Sequence, residues 1–252
     1  MKKFELTTEF ITNALGKKLF RIKALVEFGS VKAGELGGYA EKEENISQDG
    51  NAWVSGDARV YGNAWVSGDA RVYGDAWVHG NAKVFGNAEV YGDTEVSGDA
   101  KVFGNVRVSD NVRVSDNAKV FGNAKVYGDA KVFGNAWVYG DAWVHGNAKV
   151  FGNAWVYGDT EVSGDAKVSD NAEVSGDADY ALVKGFGTEF RCTTFYRDKN
   201  KKIMVNCGCF HGDLEAFRKQ VKETRSGKIA KEYLMIADLM EYHFTSEDSS
   251  DE

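Results

Sequence analysis

The sequence predicts an all-β solenoid: a triangular parallel β-helix of about seven 18-residue coils, with an N-terminal β cap and a small C-terminal α+β module. Three observations lead there. Valine stands at position 54 and at every sixth residue through Val174, which makes 21 hexads without an insertion. Two residues before each valine stands Ala, replaced only by Thr94, Val106, Val112 and Thr160. Gly-Asn or Gly-Asp recurs between hexads, and proline is absent from the chain.

Each part of the rod follows from that spacing. Side chains alternate along a strand, so the small residue and the valine two later share one inward face. Glycine tolerates positive φ, and Asn and Asp are the next most tolerant, so the pair suits a corner. Three such sides close a prism in which alanine packs near the axis and each backbone group pairs with a neighbouring coil. At an inter-strand spacing of about 4.8 Å, seven coils give a rod about 34 Å long. Val106 and Val112 place a β-branched side chain where Ala normally packs, and Asp110 and Asp116 replace the corner glycine. Local widening is expected there.

The remaining chain divides around residues 51–177, the rod. Residues 1–50 read as a cap, needed because open strand edges invite polymerisation. In it, "KKFELTTEFI" and "KKLFRIKALVEF" are strands joined by a turn at Asn13 to Gly16, and "AGELGGYAEKEENIS" brings Leu36, Tyr39 and Ile46 into an irregular first coil. Residues 178–245 read as the α+β module. "EFRCTTFYR" and "KIMVNCGCF" form a hairpin across Asp198-Lys199-Asn200-Lys201. Asp213 caps a helix with Leu214, Phe217 and Val221 at helical spacing. A second helix follows, with Ala230, Tyr233, Leu234, Ala237 and Met240 or Tyr242 along its apolar side. Residues 246–252 form an acidic, disordered tail.

Composition narrows the function. Formal net charge is −7, and the rod carries 11 Lys/Arg against 16 Asp/Glu, which weighs against nucleic acid as its partner. No run of about 18 apolar residues and no signal-type apolar segment is present, so a soluble protein without a membrane span is expected. Three cysteines suit a reducing, cytoplasmic compartment.

The repeat from Gly50 to Gly176 resembles the left-handed β-helix of hexapeptide-repeat proteins; the handedness is what that resemblance implies. The flanks "AGELGGYAEKEENISQDGNAWV" and "FRCTTFYRDKNKKIMVNCGCFHGDLEAF" resemble uncharacterised bacteriophage and prophage hexapeptide-repeat proteins. This implies a protein of the bacterial host cytoplasm or of the virion, and no transferable activity.

Three regions are candidates for chemistry. Cys207, Cys209 and His211 alternate along the predicted strand, with Cys192 opposite Cys207 if the hairpin loop has two residues. These are zinc-ligand types, but a flat strand spreads them about 7 Å apart, and buried thiols also serve as small hydrophobes. No metal and no cofactor is expected. Acyl transfer, common among the proteins the repeat resembles, calls for a catalytic His and a loop extruded from a coil. No hexad here is interrupted, and His79 and His145 fall on different sides, about four coils apart, without a partner set. No enzymatic activity is expected.

The outside of the rod is the third candidate. All six tryptophans precede a valine and so point outward. One side carries Phe85, Phe103, Phe121, Tyr139 and Tyr157 as an unbroken ladder, with Trp65, Lys83, Lys101, Lys119, Trp137 and Trp155 beside it. A second side carries Arg59, Arg113, Lys131, Lys149 and Lys167, with Phe133 and Phe151 adjacent. Such ladders stabilise a sheet by about 0.2–1 kcal/mol per pair. They also form an apolar strip of the kind that marks an interface. The expected function is that of a non-enzymatic rigid scaffold, binding a host or phage protein or self-associating as a homo-oligomer. Two alternatives stand beside it. One is a phage inhibitor docked on a host enzyme, with Asp57, Asp75 and Asp93 imitating spaced phosphates. The other is an acyltransferase-like enzyme.

Overall fold

The computed structural model describes residues 2–188 and 190–245, so the expected acidic tail at 246–252 lies outside the described residues. The predicted core is present in full: every repeat valine from Val54 to Val174 is 0 % exposed, and the residues two before them are at most 2 % exposed. At about 1.5–3 kcal/mol per buried valine, this axial column is the main source of the rod's stability.

Residues 18 apart pair in parallel register and build three sides. The basic side stacks Arg59, Trp77, Glu95, Arg113, Lys131, Lys149 and Lys167. The aromatic side stacks Trp65, Lys83, Lys101, Lys119, Trp137 and Trp155. The third stacks Trp53, Arg71, Glu89, Arg107, Lys125, Trp143 and Glu161.

The solenoid has about eight turns rather than the seven counted from the hexads. Strands β1 (Phe4–Thr12), β2 (Lys18–Ala24) and β3 (Leu36–Ala40) form an antiparallel extension of the basic side. There β3 pairs in parallel with the first basic rung, Tyr39 with Arg59 and Ala40 with Val60. Ile46 bridges Val66 on the aromatic side. This extra turn lacks the Gly-Asn corners, so the sequence period does not reveal it.

The corners show why glycine recurs. Gly68 sits at φ 68°, and a Cβ there would lie 3.0 Å from the Gly86 amide nitrogen. Asp110, Asp116 and Asp170 replace glycine and adopt the same left-handed backbone, at φ 65°, 59° and 58°. The carboxylates of Asp110 and Asp116 accept hydrogen bonds from the Gly128 and Gly134 amides one turn on, each at 3.0 Å. The turns stay bonded to one another across these corners: the following ladder bonds, Asn111 N to Gly128 O and Asn117 N to Gly134 O, are both 2.9 Å. The carboxylate replaces with a hydrogen bond what the missing glycine would have given in conformational ease.

The ladder bonds that flank each two-residue strand run forward, while the valine of each parallel rung donates back to the preceding turn. Backbone N–H groups at the outward positions donate to carbonyls of the next turn, as in Trp53 N to Ala70 O at 3.0 Å. Corner side chains follow, with Asn87, Asn105 and Asn123 donating in sequence and the last donating to Asp141 Oδ1 at 2.9 Å. A carboxylate only accepts, so Asp141 sets the direction of that chain. The open edge of the first turns therefore includes carbonyls, at Gly50, Ala52, Gly62 and Ala64, and N–H groups such as that of Gly62, while the last turns leave N–H groups at Lys167 and Ser175 to be met by the cap.

Each cap supplies the matching chemistry. At the start, Lys3 Nζ donates to Gly50 O and Ala52 O, while Asn45 Nδ2 donates to Gly62 O and Ala64 O. At the end, Lys167 N donates to Thr194 Oγ1 at 3.0 Å and Ser175 N to Asp179 Oδ2 at 3.0 Å. Thr194 belongs to an antiparallel sheet of strands Tyr180–Phe186, Arg191–Arg197, Ile203–Cys207 and Phe210–Asp213. One face of this sheet closes the rod with Tyr180, Leu182, Tyr196 and Met204. Its other face packs under helices α1 (Leu214–Thr224) and α2 (Gly227–Thr245), with Phe195, Val205, Phe217 and Tyr233 in a separate core. Asp213 caps α1 as expected, accepting from Ala216 N at 2.7 Å. The module thus has its own core and also seals the solenoid, a role its sequence does not announce. No helix among the described residues is long and apolar enough to cross a membrane.

Candidate interaction surface

The aromatic side is assembled as its spacing predicts. Phe85, Phe103, Phe121, Tyr139 and Tyr157 stack face to face, with centroids 4.8, 5.0, 4.8 and 4.9 Å apart and planes within 6°. Rings this close cover one another's faces, so all five are half-buried and present their edges. The adjacent column is more open. Trp65 and Trp155 are 40 % and 41 % exposed, Lys83 and Lys101 are exposed, and Trp137 and Lys119 are half-buried. Trp137 stacks on Trp155 at 5.2 Å, and Lys119 Nζ sits 4.2 Å over the Trp137 ring. Among the described residues no carboxylate pairs with Lys83, Lys101 or Lys119.

The other sides are interrupted. Their aromatic stacks are two rings long: Tyr61–His79 and Phe133–Phe151 on the basic side, Tyr73–Tyr91 and Tyr127–His145 on the third. Serines separate these stacks, and Glu89–Arg107 and Glu95–Arg113 pair along their columns at 3.4 and 3.6 Å. The carboxylates of the inhibitor alternative, Asp57, Asp75 and Asp93, lie exposed on the corner opposite the aromatic side.

Trp53 departs from the expectation that all six tryptophans face solvent. It is 5 % exposed, because Phe4 and Phe28 of the cap pack edge-on against it, at 6.3 and 5.4 Å. Its position in the hexad points outward; the folded-back cap covers that position.

The cysteine and histidine cluster does not form. The hairpin loop runs from Asp198 to Lys202, so Thr193, not Cys192, lies opposite Cys207. The strand ends at Cys207, Gly208 turns at φ 63°, and Cys209 stands exposed in that turn. Cys207 then faces α1 and α2, whereas Cys192 and His211 face the rod. His211 pairs with Asp170 at 2.7 Å, and Tyr196 Oη lies 3.2 Å from its Nε2. Burial pushes the Tyr196 phenol up to about 12. Among the described residues no group of three or more His, Cys, Asp or Glu side chains is placed to hold a metal ion.

His79 and His145 do have partners, which the sequence reading missed. His79 Nε2 lies 3.0 Å from Glu95 and stacks on Tyr61; His145 Nε2 lies 2.7 Å from Glu161 and stacks on Tyr127. Tyr157, the last ring of the long ladder, donates to Glu173 at 2.8 Å. In all three cases a ladder's final ring bonds a glutamate 16 residues on, one turn down and one position across. The signal was available as an offset two short of the 18-residue period. It reads as a means of ending an aromatic stack, since the ring column continues with Ser97, Ser163 and Ser175.

A second missed signal is an internal duplication. Residues 72–102 and 138–168 differ at one position, Glu89 against Trp155. Their 66-residue offset is three turns plus two sides, so the copies lie on different faces. Phe85 stands on the aromatic side, and its counterpart Phe151 on the basic side. The five-ring ladder is therefore no by-product of copying a block in place.

Three stretches, residues 52–68, 64–80 and 130–146, match the family model described as the YdcK beta solenoid repeat. All lie within the rod, and the match agrees with a repeat β-solenoid. No curated protein matches the chain.

Proposed function

We propose that the protein is a rigid, non-catalytic scaffold that binds a protein partner through its aromatic side. The observation that carries this reading is the unbroken five-ring ladder on one side, flanked in the adjacent column by Trp65, Trp137 and Trp155, half of the six tryptophans. Stacking explains the ladder's own stability, but it does not call for open tryptophans beside it. Interface anchors are enriched in Trp, Tyr and Arg, which fits this column. Both ends of the rod are capped, so contact through a side is favoured over end-to-end growth. The resemblance of the flanks to phage and prophage proteins supports a virion or host protein as the partner.

The test compares two double substitutions. Phe103→Ser with Phe121→Ser breaks the ladder, and Ser67 and Ser175 show that the column accepts serine. Trp137→Ala with Trp155→Ala removes the stacked tryptophan pair, at roughly 2 kcal/mol of binding or more each. The expected result is loss of partner capture in a pulldown, with circular dichroism unchanged for the tryptophan pair. Capture indifferent to all four substitutions overturns the reading.

A further inference from the structure

The third side of the rod carries a cleft where the N-terminal cap crosses its first turn. Residues 28–31 fold back on themselves, with Phe28 N to Val31 O at 3.1 Å and Val31 N to Phe28 O at 2.9 Å. Phe28 rests on Trp53, and a Cβ on Gly29 would lie 3.3 Å from Asn51, so this turn is pressed against the rod. Between it, Glu35 and the rod residues Trp53, Ser55, Arg71 and Tyr73 lies a cleft of about 270 Å³.

Two features of its lining point to a ligand. Tyr73 begins a two-ring stack, with Tyr91 covering one of its faces at 4.8 Å. One turn earlier in the same column stands Ser55, too small to cover the other face, which is left open to the cleft. Tyr127 after Ser109 and Phe133 after Ser115 begin stacks in the same way, but in mid-rod, away from the cap. The second feature is Trp53, which lines the cleft although it is 5 % exposed. Its indole Nε1–H is buried without a hydrogen-bond acceptor among the described residues. A buried donor left unpaired is costly and rare, so one beside a cleft marks a place for an acceptor. Arg71 adds a second donor at the cleft wall. Glu35 and Glu89 use one carboxylate oxygen each, on Lys32 N–H and Arg107, and keep the other as an acceptor.

We propose that this cleft binds a small molecule with a planar heteroaromatic ring. The ring takes the space that a residue larger than Ser55 would fill, and extends the Tyr73–Tyr91 stack by one layer. Those two rings lie 3° from parallel, a geometry that a flat ring continues and a puckered saccharide does not. An acceptor on the ligand's edge, such as a ring nitrogen or a carbonyl oxygen, meets the Trp53 N–H. An edge amine meets Glu35 or Glu89. A hydrocarbon ring would leave the indole N–H unpaired, so the edge has to be polar. An aromatic platform with a few convergent polar groups is the usual make-up of a small-molecule site. The cleft lies under the cap on the third side, so it stands apart from the aromatic side and its partner.

The experiment is a calorimetric titration of the full chain with adenosine, uridine and nicotinamide, beside methyl glucoside for comparison. Circular dichroism confirms the folding of every variant. The expected result is that at least one flat ring binds and methyl glucoside does not. Tyr73→Ser, a residue the same column accepts at Ser109, weakens binding by about tenfold or more. Trp53→Phe keeps a ring against Phe4 and Phe28 but removes the N–H, and weakens binding by about threefold or more. Ser55→Tyr fills the space from within and abolishes binding, while the thermal midpoint holds or rises because the stack is lengthened. Phe103→Ser with Phe121→Ser leaves binding unchanged, which separates this site from the aromatic-side reading. The proposal is overturned if none of the three rings binds, if methyl glucoside binds in their place, or if binding survives Tyr73→Ser or Ser55→Tyr undiminished.

Discussion

Lys3 Nζ donates to the Ala52 carbonyl at 3.0 Å, placing a buried amine on the open edge of the first full turn. The contact supplies a donor to carbonyls, Gly50 O and Ala52 O, at the edge where the repeat begins. Burial pushes the Lys3 ammonium down to about 8, although Asp49 and Asp69 pull the other way.

Lys3→Met should therefore expose the need for that donor. Leaving the Gly50 and Ala52 carbonyls unpaired is expected to cost about 1–3 kcal/mol in urea unfolding. The pH dependence has a defined sign. Between about 8 and the ordinary 10.5, the unfolded chain holds the proton that the folded chain has released. The stability of the wild type relative to Lys3→Met thus rises as pH rises through that window. A difference that is flat or falls with pH would contradict the burial of this amine.

At the opposite end, Thr194→Val removes the acceptor for Lys167 N–H without changing side-chain shape. An unpaired buried amide is expected to cost about 1–3 kcal/mol, while Thr194→Ser should retain most of the stability. Hydrogen exchange should report the loss first in the last turn. Equal costs for valine and serine would mean that Thr194 acts by packing alone.

Asp116 is held at φ 59° and accepts from Gly134 N. Asp116→Ala should cost about 1–2 kcal/mol from left-handed backbone strain alone. Asp116→Asn keeps both the local conformational tolerance and an acceptor oxygen, and should fall within about 0.5 kcal/mol of wild type. Thermal unfolding of the two variants distinguishes a backbone requirement from an electrostatic one, since the latter would penalise Asn as well.

For the ladder ends, a double-mutant cycle on His145→Ala and Glu161→Ala measures the coupling directly. A contact of this kind between neighbouring strands should give roughly 0.2–1 kcal/mol. Strict additivity would show that the 2.7 Å contact contributes nothing to stability.

The solenoid was legible because its cause is local and repeated. A small residue and a valine on one strand face, and a corner residue tolerant of positive φ, recur at a fixed six-residue interval from Val54 to Val174. The three-sided stacking then follows from counting, and so does the line from Phe85 to Tyr157, because the ladder is a property of the period. The tertiary structure decided what lies outside the period. Trp53 occupies an outward position like Trp65, yet it is buried, because a cap without the repeat folds back over it. The C-terminal sheet seals the rod through Tyr196 and Thr194, whose neighbours in sequence show no trace of the hexad. Cys207 and His211, four residues apart, face opposite ways because a turn at Gly208 falls between them. A repeat imposes its geometry wherever it continues; where it stops, a side chain's surroundings depend on which distant surface needs covering, and single-residue spacing carries no record of that.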